Sequence, residues 1–310
     1  MRIATLIDPE SGRLSLAFAE VDGRVTTVAD AMAETGLDLD PAALDPASVT
    51  WLGEPTMDGL RRIDESRDPA LSQSVEALGC RLAAPVMRPG KIVAVGRNYM
   101  DHVREGQEIW AKRGRKIEVP EYPSAFAKFA SSLTGPYDAV TIPNGIDDLD
   151  YEIELAVVIG KPALNVSEEE ALDHVVGYCI CNDLAARGIQ RREMEQQIGI
   201  TLAKNFPRFA PMGPWLTTSD AVGDPQSLDL VLDVDGDVRQ QASTADMIFP
   251  VRKLISYFSQ VGLETGDMLI TGTPSGVALA REEPDRFYLR AGQVVTARIE
   301  GLGEIRNWIE

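Results

Sequence analysis

From Lys91 onward the chain is cut into short β-branched runs: "KIVAVG", "AVTIP", "YEIELAVVIG", "VVGYCICND", "LVLDVDGDVRQ", "DMLITGTP" and "QVVTARIEGLGEI". Gly, Pro, Asn and Asp separate them, the residues that end strands and build turns. Only "SEEEALDHVVG" and "FPVRKLISYFSQVG" carry a strong helical period, the first opening on a Ser N-cap with an acidic first turn. Strands outnumber helices and do not alternate regularly with them. That argues against a doubly wound sheet and predicts a β-rich α+β fold, a mixed roll or barrel. Ahead of it, residues 1–85 read as a small α/β module. "RIATLI" and "LSLAFAEVDGRVTTV" are strands around an Asp-Gly turn, and "VADAMAETG" and "SVEALGCRLA" are short helices. "AAPVMRPG" is the connection, so the expected domains are 1–85 and 86–310.

The chain has 310 residues, enough to bury a sizeable core without a disulfide. Its 48 acidic and 30 basic side chains leave a formal charge of −18. That balance argues against nucleic acid or an anionic membrane as partner. An anionic substrate must therefore be drawn by a metal or by clustered Lys and Arg. The first residues, "MRIATLIDPE", contain no apolar signal-peptide region, and no run of about 18 apolar residues predicts a membrane span. Cysteine is confined to Cys80, Cys179 and Cys181, which suits a reducing cytoplasm. Cys179 and Cys181 lack the further soft ligands that a thiolate metal site needs and read as buried thiols.

Within "LDYEIELAVVIG", Glu152 and Glu154 stand two residues apart on a core-bound strand. Alternate strand residues share a face, which puts the two carboxylates side by side with Cα atoms ~7 Å apart. Such anions repel unless a cation lies between them or solvent separates them. Asp183, closing the apolar run "YCICND", is a third candidate. Three hard oxygen ligands suit Mg²⁺ or Mn²⁺, whereas a chain with two histidines does not suggest zinc. The Glu pair taken alone is more commonly a solvated acidic face on an edge strand. "DVDGDV" lacks the glycine position of a calcium loop and reads as a hairpin turn at Asp235-Gly236.

His102 and Glu105 in "GRNYMDHVREG" would meet on one face of a short helix. A carboxylate on an imidazole fixes its tautomer and raises its basicity, as a general base requires; an ordinary surface ion pair has the same spacing. His174 reads as structural. Lys204, in "TLAKNFPRFAPMGPW", suits either a developing oxyanion or a snorkelling surface position. The loop "ITGTPSGV", with Gly272 and Thr273, offers N–H groups and hydroxyls to a carboxylate, and turn chemistry explains it as well.

In this order, "GRNYMDHVREG", "PSAFAKFASSLTGP", "DYEIELAVVIGK", "GYCICNDLAARGIQ", "TLAKNFPRFAPMGPW", "RQQASTADMIFPVRKLISYFS" and "DMLITGTPSGV" resemble the fumarylacetoacetate hydrolase family over roughly residues 90 to 307. The nearest types are acylpyruvate hydrolase and 2-hydroxyhepta-2,4-diene-1,7-dioate isomerase. The resemblance implies a mixed β-roll, usually a homodimer, with Glu152, Glu154 and Asp183 holding Mg²⁺ or Mn²⁺. It implies His102 and Glu105 as the dyad activating water, with Gln190 and Lys204 around the reacting carbonyl. Thr273 and Gly272 would meet the substrate carboxylate, and Arg97 and Tyr99 would line the mouth. The expected reaction is hydrolytic cleavage of a C–C bond in a 2,4-dioxo acid to give pyruvate and a second acid. Decarboxylation, isomerisation or hydration of related acids is the alternative within the family, and a non-catalytic binding protein the alternative outside it. Two features depart from the family pattern. The segment "VREGQEIWAKRGRKIEVPEY" is longer than usual, and its Lys112, Arg113, Arg115 and Lys116 suit either a substrate-recruiting lid or a solvated loop. Gly188 stands where an acidic residue is commoner, which bears on substrate identity.

Overall fold

A computed structural model describes residues 1–111 and 118–310. The expected lid cluster, Lys112 to Lys116, lies outside the described residues.

In chain order the strands and helices are β1 (Arg2–Ile7), β2 (Leu14–Ala19), β3 (Val25–Thr27), α1 (Val28–Thr35), α2 (Glu54–Ser66), β4 (Arg81–Ala83), β5 (Ile92–Gly96), α3 (Met100–Ala111), β6 (Ser124–Lys128) and β7 (Leu133–Thr134). There follow β8 (Leu149–Asp150), β9 (Ile153–Ile159), β10 (Val175–Asn182), β11 (Ala185–Ala186), α4 (Arg187–Glu195), β12 (Ala210–Thr218), α5 (Ser219–Val222), β13 (Asp229–Val234) and β14 (Asp237–Ser243). The last four are α6 (Val251–Phe258), β15 (Met268–Ile270), β16 (Val294–Ile299) and β17 (Gly303–Trp308).

The main sheet runs β3-β2-β1-β12-β10-β9-β15-β5-β6, with β4 and β7 attached to β1 and β12. The fold is therefore mixed α+β and rich in sheet, as the β-branched runs predict. Among the described residues the pairing path has two unjoined ends, so no closed barrel forms. A second sheet, β14-β13-β16-β17, is built of two hairpins, the first turning at Asp235 and Gly236, both at positive φ.

Inside the main sheet, between β10 and β15, lies β9, every residue of which is buried. Its two faces go to different cores. Ile153, Leu155, Val157 and Ile159 pack with Leu230 and Leu232 of β13, Ala297 of β16 and Leu254 of α6. Ala156 and Val158 pack on the opposite side with Trp51, Leu60 and Ile63 from the leading segment. A strand covered on both faces needs the near-continuous apolar run seen here. Glu152 and Glu154 extend the Ala156 face, so their carboxylates point away from the β13 sheet.

Three local expectations are corrected. "SEEEALDHVVG" forms only a 3-10 turn, Ala171–His174, before β10 begins. Its Ser167 hydroxyl and Glu170 exchange bonds just ahead of that turn, and the His174 carbonyl accepts from Gly160 and Lys161 instead of continuing a helix. "SVEALGCRLA" is a turn followed by β4, drawn into the sheet by pairing with β1. In "AVTIP" only Val140 makes a bridge, to Ile309.

Strand direction positions the site. β9 is antiparallel to β10 and β15, β10 to β12, and β6 to β5, while β5 is parallel to β15. The ends of β10, β15 and β5 and the starts of β9, β12 and β6 therefore share one edge of the molecule. Asn98 ties that edge together. Its buried amide donates to the carbonyls of Phe249 (3.0 Å) and Thr271 (2.8 Å) and accepts from Phe249 N–H (2.8 Å). Asn98→Ala orphans those backbone groups and should cost about 2–4 kcal/mol, read as a lower urea midpoint at unchanged m-value.

Candidate metal centre and active site

The E-x-E pair sits where β9 starts and Asp183 where β10 ends. Glu154 stands opposite Cys181 in the antiparallel register, and Asp183 N–H donates to the Glu152 carbonyl (2.8 Å). One oxygen each from Glu152, Glu154 and Asp183 lie within 4.8 Å of one another, and all three residues are buried. The solvated-edge alternative is thereby excluded.

Three cations meet these carboxylates. Lys204 Nζ donates to Glu152 Oε2, to Asp183 Oδ2 (2.8 Å) and to the Asp183 carbonyl (2.7 Å). Arg187, the first residue of α4, bonds Glu152 Oε1 (2.6 Å), Asp150 Oδ2 (2.7 Å) and Gln190 Oε1 (2.8 Å). Lys128 Nζ lies 2.7 Å from Asp183 Oδ1 and donates to the Phe209 carbonyl (3.2 Å). All three N–H bonds of Lys204 are thus engaged by protein acceptors. It clamps the carboxylates, and an oxyanion role requires it to release one of them.

Burial works against ionisation of Glu152, but Lys204, Arg187 and His102 outweigh it and hold its carboxyl down to about 2. Glu154 goes the other way: burial, then the neighbouring Asp183 and Glu152 charges, push it well above the usual carboxylate range. Its Oε2 accepts from Gly272 N–H (2.6 Å), a neutral donor. Lys204 is held protonated by Asp183 and Glu152 against the cost of burial.

The donor set fits a divalent ion. Asp183 Oδ1 is buried and, despite the nearby Lys128 ammonium, makes no hydrogen bond of good geometry. Glu154 is short of positive charge. An all-oxygen set suits Mg²⁺ or Mn²⁺, and a carboxylate has enough lone pairs to serve an ion and an ammonium together.

The sequence-predicted residues converge on one cavity of about 280 Å³. Arg97, His102, Glu152, Glu154, Asp183, Gln190, Lys204 and Thr273 all line it. Glu105 is beside it: Oε2 lies 3.4 Å from His102 Nδ1 and Oε1 accepts from Gly276 N–H (2.8 Å). Gly276 is at φ +104°, and a Cβ there would lie 2.1 Å from the Arg239 carbonyl, so only glycine presents this N–H. Thr273 is buried, its hydroxyl donating to the Ile153 carbonyl (3.1 Å) and accepting from Gln240 (2.9 Å). His174 lies elsewhere, near the Lys161 carbonyl (3.1 Å).

Two placements differ from expectation. Tyr99 is in the core rather than at the mouth, its phenol oxygen buried without a hydrogen bond. The Asn98 anchor turns the next residue inward. Gly272 gives its N–H to Glu154, which directs it to the carboxylate centre rather than to a substrate.

Sequence reading passed over Arg187, Asp150 and Lys128. The signal for Asp150 was present, because Asp150, Glu152 and Glu154 alternate as D-x-E-x-E. Asp150 also caps Ala278 N–H (2.8 Å) and Leu279 N–H (3.0 Å). At position 188 a Cβ would lie 2.6 Å from Asp148 Oδ2, so the Asp148 carboxylate occupies the space beside this glycine and would have to shift for any side chain there.

The raised Glu154 carboxyl carries a defined sign. Its contribution to stability is complete below the unfolded carboxyl pKa and is lost as pH rises through the raised folded value. Glu152 is the opposite case, contributing above its ordinary value of 4.5 and losing that as pH falls towards about 2. Glu154→Gln keeps an acceptor for Gly272 and removes the buried charge. At pH 8 it should raise the Tm of metal-free protein, by about 2–4 °C per kcal/mol relieved. It should also abolish the Tm increase that Mg²⁺ or Mn²⁺ gives the wild type. A lower Tm without metal would contradict the electrostatic account.

Residues 91–310 match the family described as fumarylacetoacetate (FAA) hydrolase, C-terminal. A Burkholderia multivorans protein with a general hydrolase name is 43% identical over 246 residues, 79% of this chain and 81% of its own. The mitochondrial oxaloacetate tautomerase FAHD2A of Homo sapiens is 40% identical over 256 residues, 82% of this chain and 76% of its own. Among solved structures, maleylpyruvate hydrolase from Sphingobium sp. SYK-6 in complex with manganese(II) and pyruvate superposes with a TM-score of 0.74 at 29% identity. That match covers 100% of this chain and 98% of the other. The carboxylate centre, the fold and these relatives agree: the chain belongs to the fumarylacetoacetate hydrolase family.

Proposed function

We propose that the cavity is the active site of a divalent-metal-dependent enzyme acting on a small anionic 2-oxo acid. Its reaction, on this reading, is hydrolytic C–C cleavage of a 2,4-dioxo acid of the acylpyruvate or fumarylpyruvate type. The observation that carries the reading is that the His102–Glu105 pair and the three carboxylates face one cavity. A relative solved with manganese(II) and pyruvate supports both the metal and the product.

Bound Mg²⁺ or Mn²⁺ would supply Lewis-acid stabilisation of negative charge on the 2-oxo and carboxylate oxygens of the substrate. The protein residues do the rest. Glu105, fixed by Gly276 N–H, holds His102 through Nδ1 and leaves Nε2 to take a proton from water. The water oxygen bonds to the distal carbonyl carbon. The bond from that carbon to the methylene then breaks, and its electron pair leaves as the enolate of pyruvate, which recovers the proton from His102. Gln190 gives its Oε1 to Arg187, so its amide N–H groups are the donors facing the oxyanion, with Lys204 behind. Arg187, Lys204 and Lys128 keep the carboxylates aligned.

A second reading has its own support. Tautomerases of oxaloacetate are 39–40% identical over 82–83% of this chain. Moving a proton between carbon and oxygen of a 2-oxo acid needs the same base and the same stabilised enolate, without attack by water. No helix among the described residues is long and apolar enough to cross a membrane. We further propose a cytoplasmic homodimer; Phe129, Ile198 and Leu202, exposed apolar side chains, suit a subunit contact, and light scattering would measure it.

The deciding assay follows metal-stripped protein with acetylpyruvate, fumarylpyruvate and enol-oxaloacetate, before and after Mg²⁺ or Mn²⁺. Metal-dependent pyruvate release from the first two supports hydrolysis. Enol–keto exchange of oxaloacetate without release supports tautomerisation. Metal binding with neither leaves a binding protein. His102→Ala should lower kcat by about 10²–10⁴-fold with metal affinity unchanged, and full activity in that variant would remove His102 as the base.

A further inference from the structure

Glu105 holds His102, and what holds Glu105 is the loop after β15. Gly276 N–H donates to Glu105 Oε1 (2.8 Å). The Gly276 carbonyl accepts from Tyr151 Oη (3.2 Å) and from Arg281 Nη2 (3.3 Å). Both bonds are long, and two donors restrain the carbonyl where one would leave it freer. The same Arg281 nitrogen donates to the Arg239 carbonyl of β14 (2.7 Å). That carbonyl is the atom a Cβ at Gly276 would strike, so Arg281 clasps Gly276 against β14. Asp150 takes the next free N–H groups, those of Ala278 and Leu279, and fixes the loop beyond Gly276.

Arg281 and Tyr151 work from outside the cavity, and neither lines it. Tyr151 belongs to the same core as Ile153 and Leu155, on the face opposite Glu152 and Glu154. The Arg281 guanidinium lies over the Phe287 ring, 5.3 Å from its centroid, and Arg239 lies over the same ring at 4.8 Å. Arg281 Nε is buried without a hydrogen bond, and no carboxylate pairs with this arginine among the described residues. An arginine that served only to neutralise a buried acid would face one. Here the polar contacts go to two backbone carbonyls, and both bear on Gly276.

We propose that Arg281, together with Tyr151, is a positioning residue for the base. Fixing the Gly276 carbonyl fixes the neighbouring N–H that orients Glu105, and Glu105 sets which nitrogen of His102 carries the proton. This rests on the reading of His102 as the base and deepens it. In that reading the proton sits on Nδ1, facing Glu105, so that Nε2 is free to accept one from water. A Glu105 carboxylate that swings away releases the ring to the other tautomer, whose Nε2 is already protonated.

The chain has two histidines, so the tautomer is directly readable. Mg²⁺-loaded, ¹⁵N-labelled full-length protein is studied by long-range ¹H–¹⁵N NMR at pH 8, above the usual imidazole range, with His174→Gln assigning the signals. Wild type should show His102 protonated at Nδ1. Arg281→Met keeps an apolar stem beside Phe287 and removes the donors. It should move His102 towards the Nε2–H form and lower kcat by about 10- to 100-fold, the cost of a misplaced catalytic group, with KM and Mg²⁺ affinity within about twofold. Tyr151→Phe, a smaller change, should move both readouts the same way by less, and Arg281→Lys should recover part of the loss. Added to Glu105→Gln, Arg281→Met should lower kcat no further, because both act along one path. The role is overturned, and the base reading stands, if Glu105→Gln shifts the tautomer while Arg281→Met and Tyr151→Phe leave it unchanged. Additive kcat losses also overturn it. An Nε2–H ring in wild type overturns the base reading itself, and the Arg281 role with it.

Discussion

The structure depends on keeping four carboxylates, Asp150, Glu152, Glu154 and Asp183, out of water at one edge of a sheet. Burying ions is costly unless each is paired and hydrogen-bonded. Here Arg187, Lys204 and Lys128 are buried with them, and backbone N–H groups of Gly272, Ala278 and Leu279 take further lone pairs. The arrangement is nearly neutral but leaves Glu154 under-served. A divalent ion would relieve it, so the protein's electrostatic deficit coincides with the place where its chemistry needs positive charge.

The scaffold makes that arrangement rigid. β9 is locked between two apolar cores, so its leading residues Glu152 and Glu154 inherit a fixed position from Ala156 and Val158 behind them. Asp183, Lys204, Gly272, Arg97 and Lys128 arrive from different strands or the turns beside them. They meet because the strand directions bring those segments to a common edge. Asn98 and Gly276 then tie the loops to each other: one anchors the turn before α3, the other holds Glu105, and through it His102.

Much of the site was legible because its chemistry is local in sequence. E-x-E on a strand and His-x-x-Glu on a helix put their partners on one face by periodicity alone. Lys128 and Arg187 were not, since a lysine in "AFAKFA" and an arginine in "AARGIQ" look like surface residues until a carboxylate from a distant strand is placed against them. Tyr99 shows the reverse error. Beside Arg97 and His102 it looked functional, but the Asn98 anchor turns it inward. The helix expected at 167–177 failed because Ser167 and Glu170 bond each other in a local turn and the following β-branched residues are claimed by β10.

The sequence by itself determined the sheet-rich class, the paired glutamates and the His102–Glu105 pair, because each follows from side-chain period and turn chemistry over a few residues. Tertiary structure decided the order of strands, the open edge of the sheet and the exclusion of water from the carboxylates. Those depend on which residues distant along the chain come within about 4 Å, where a charge is either paired or left alone, and no short-range pattern encodes that distance.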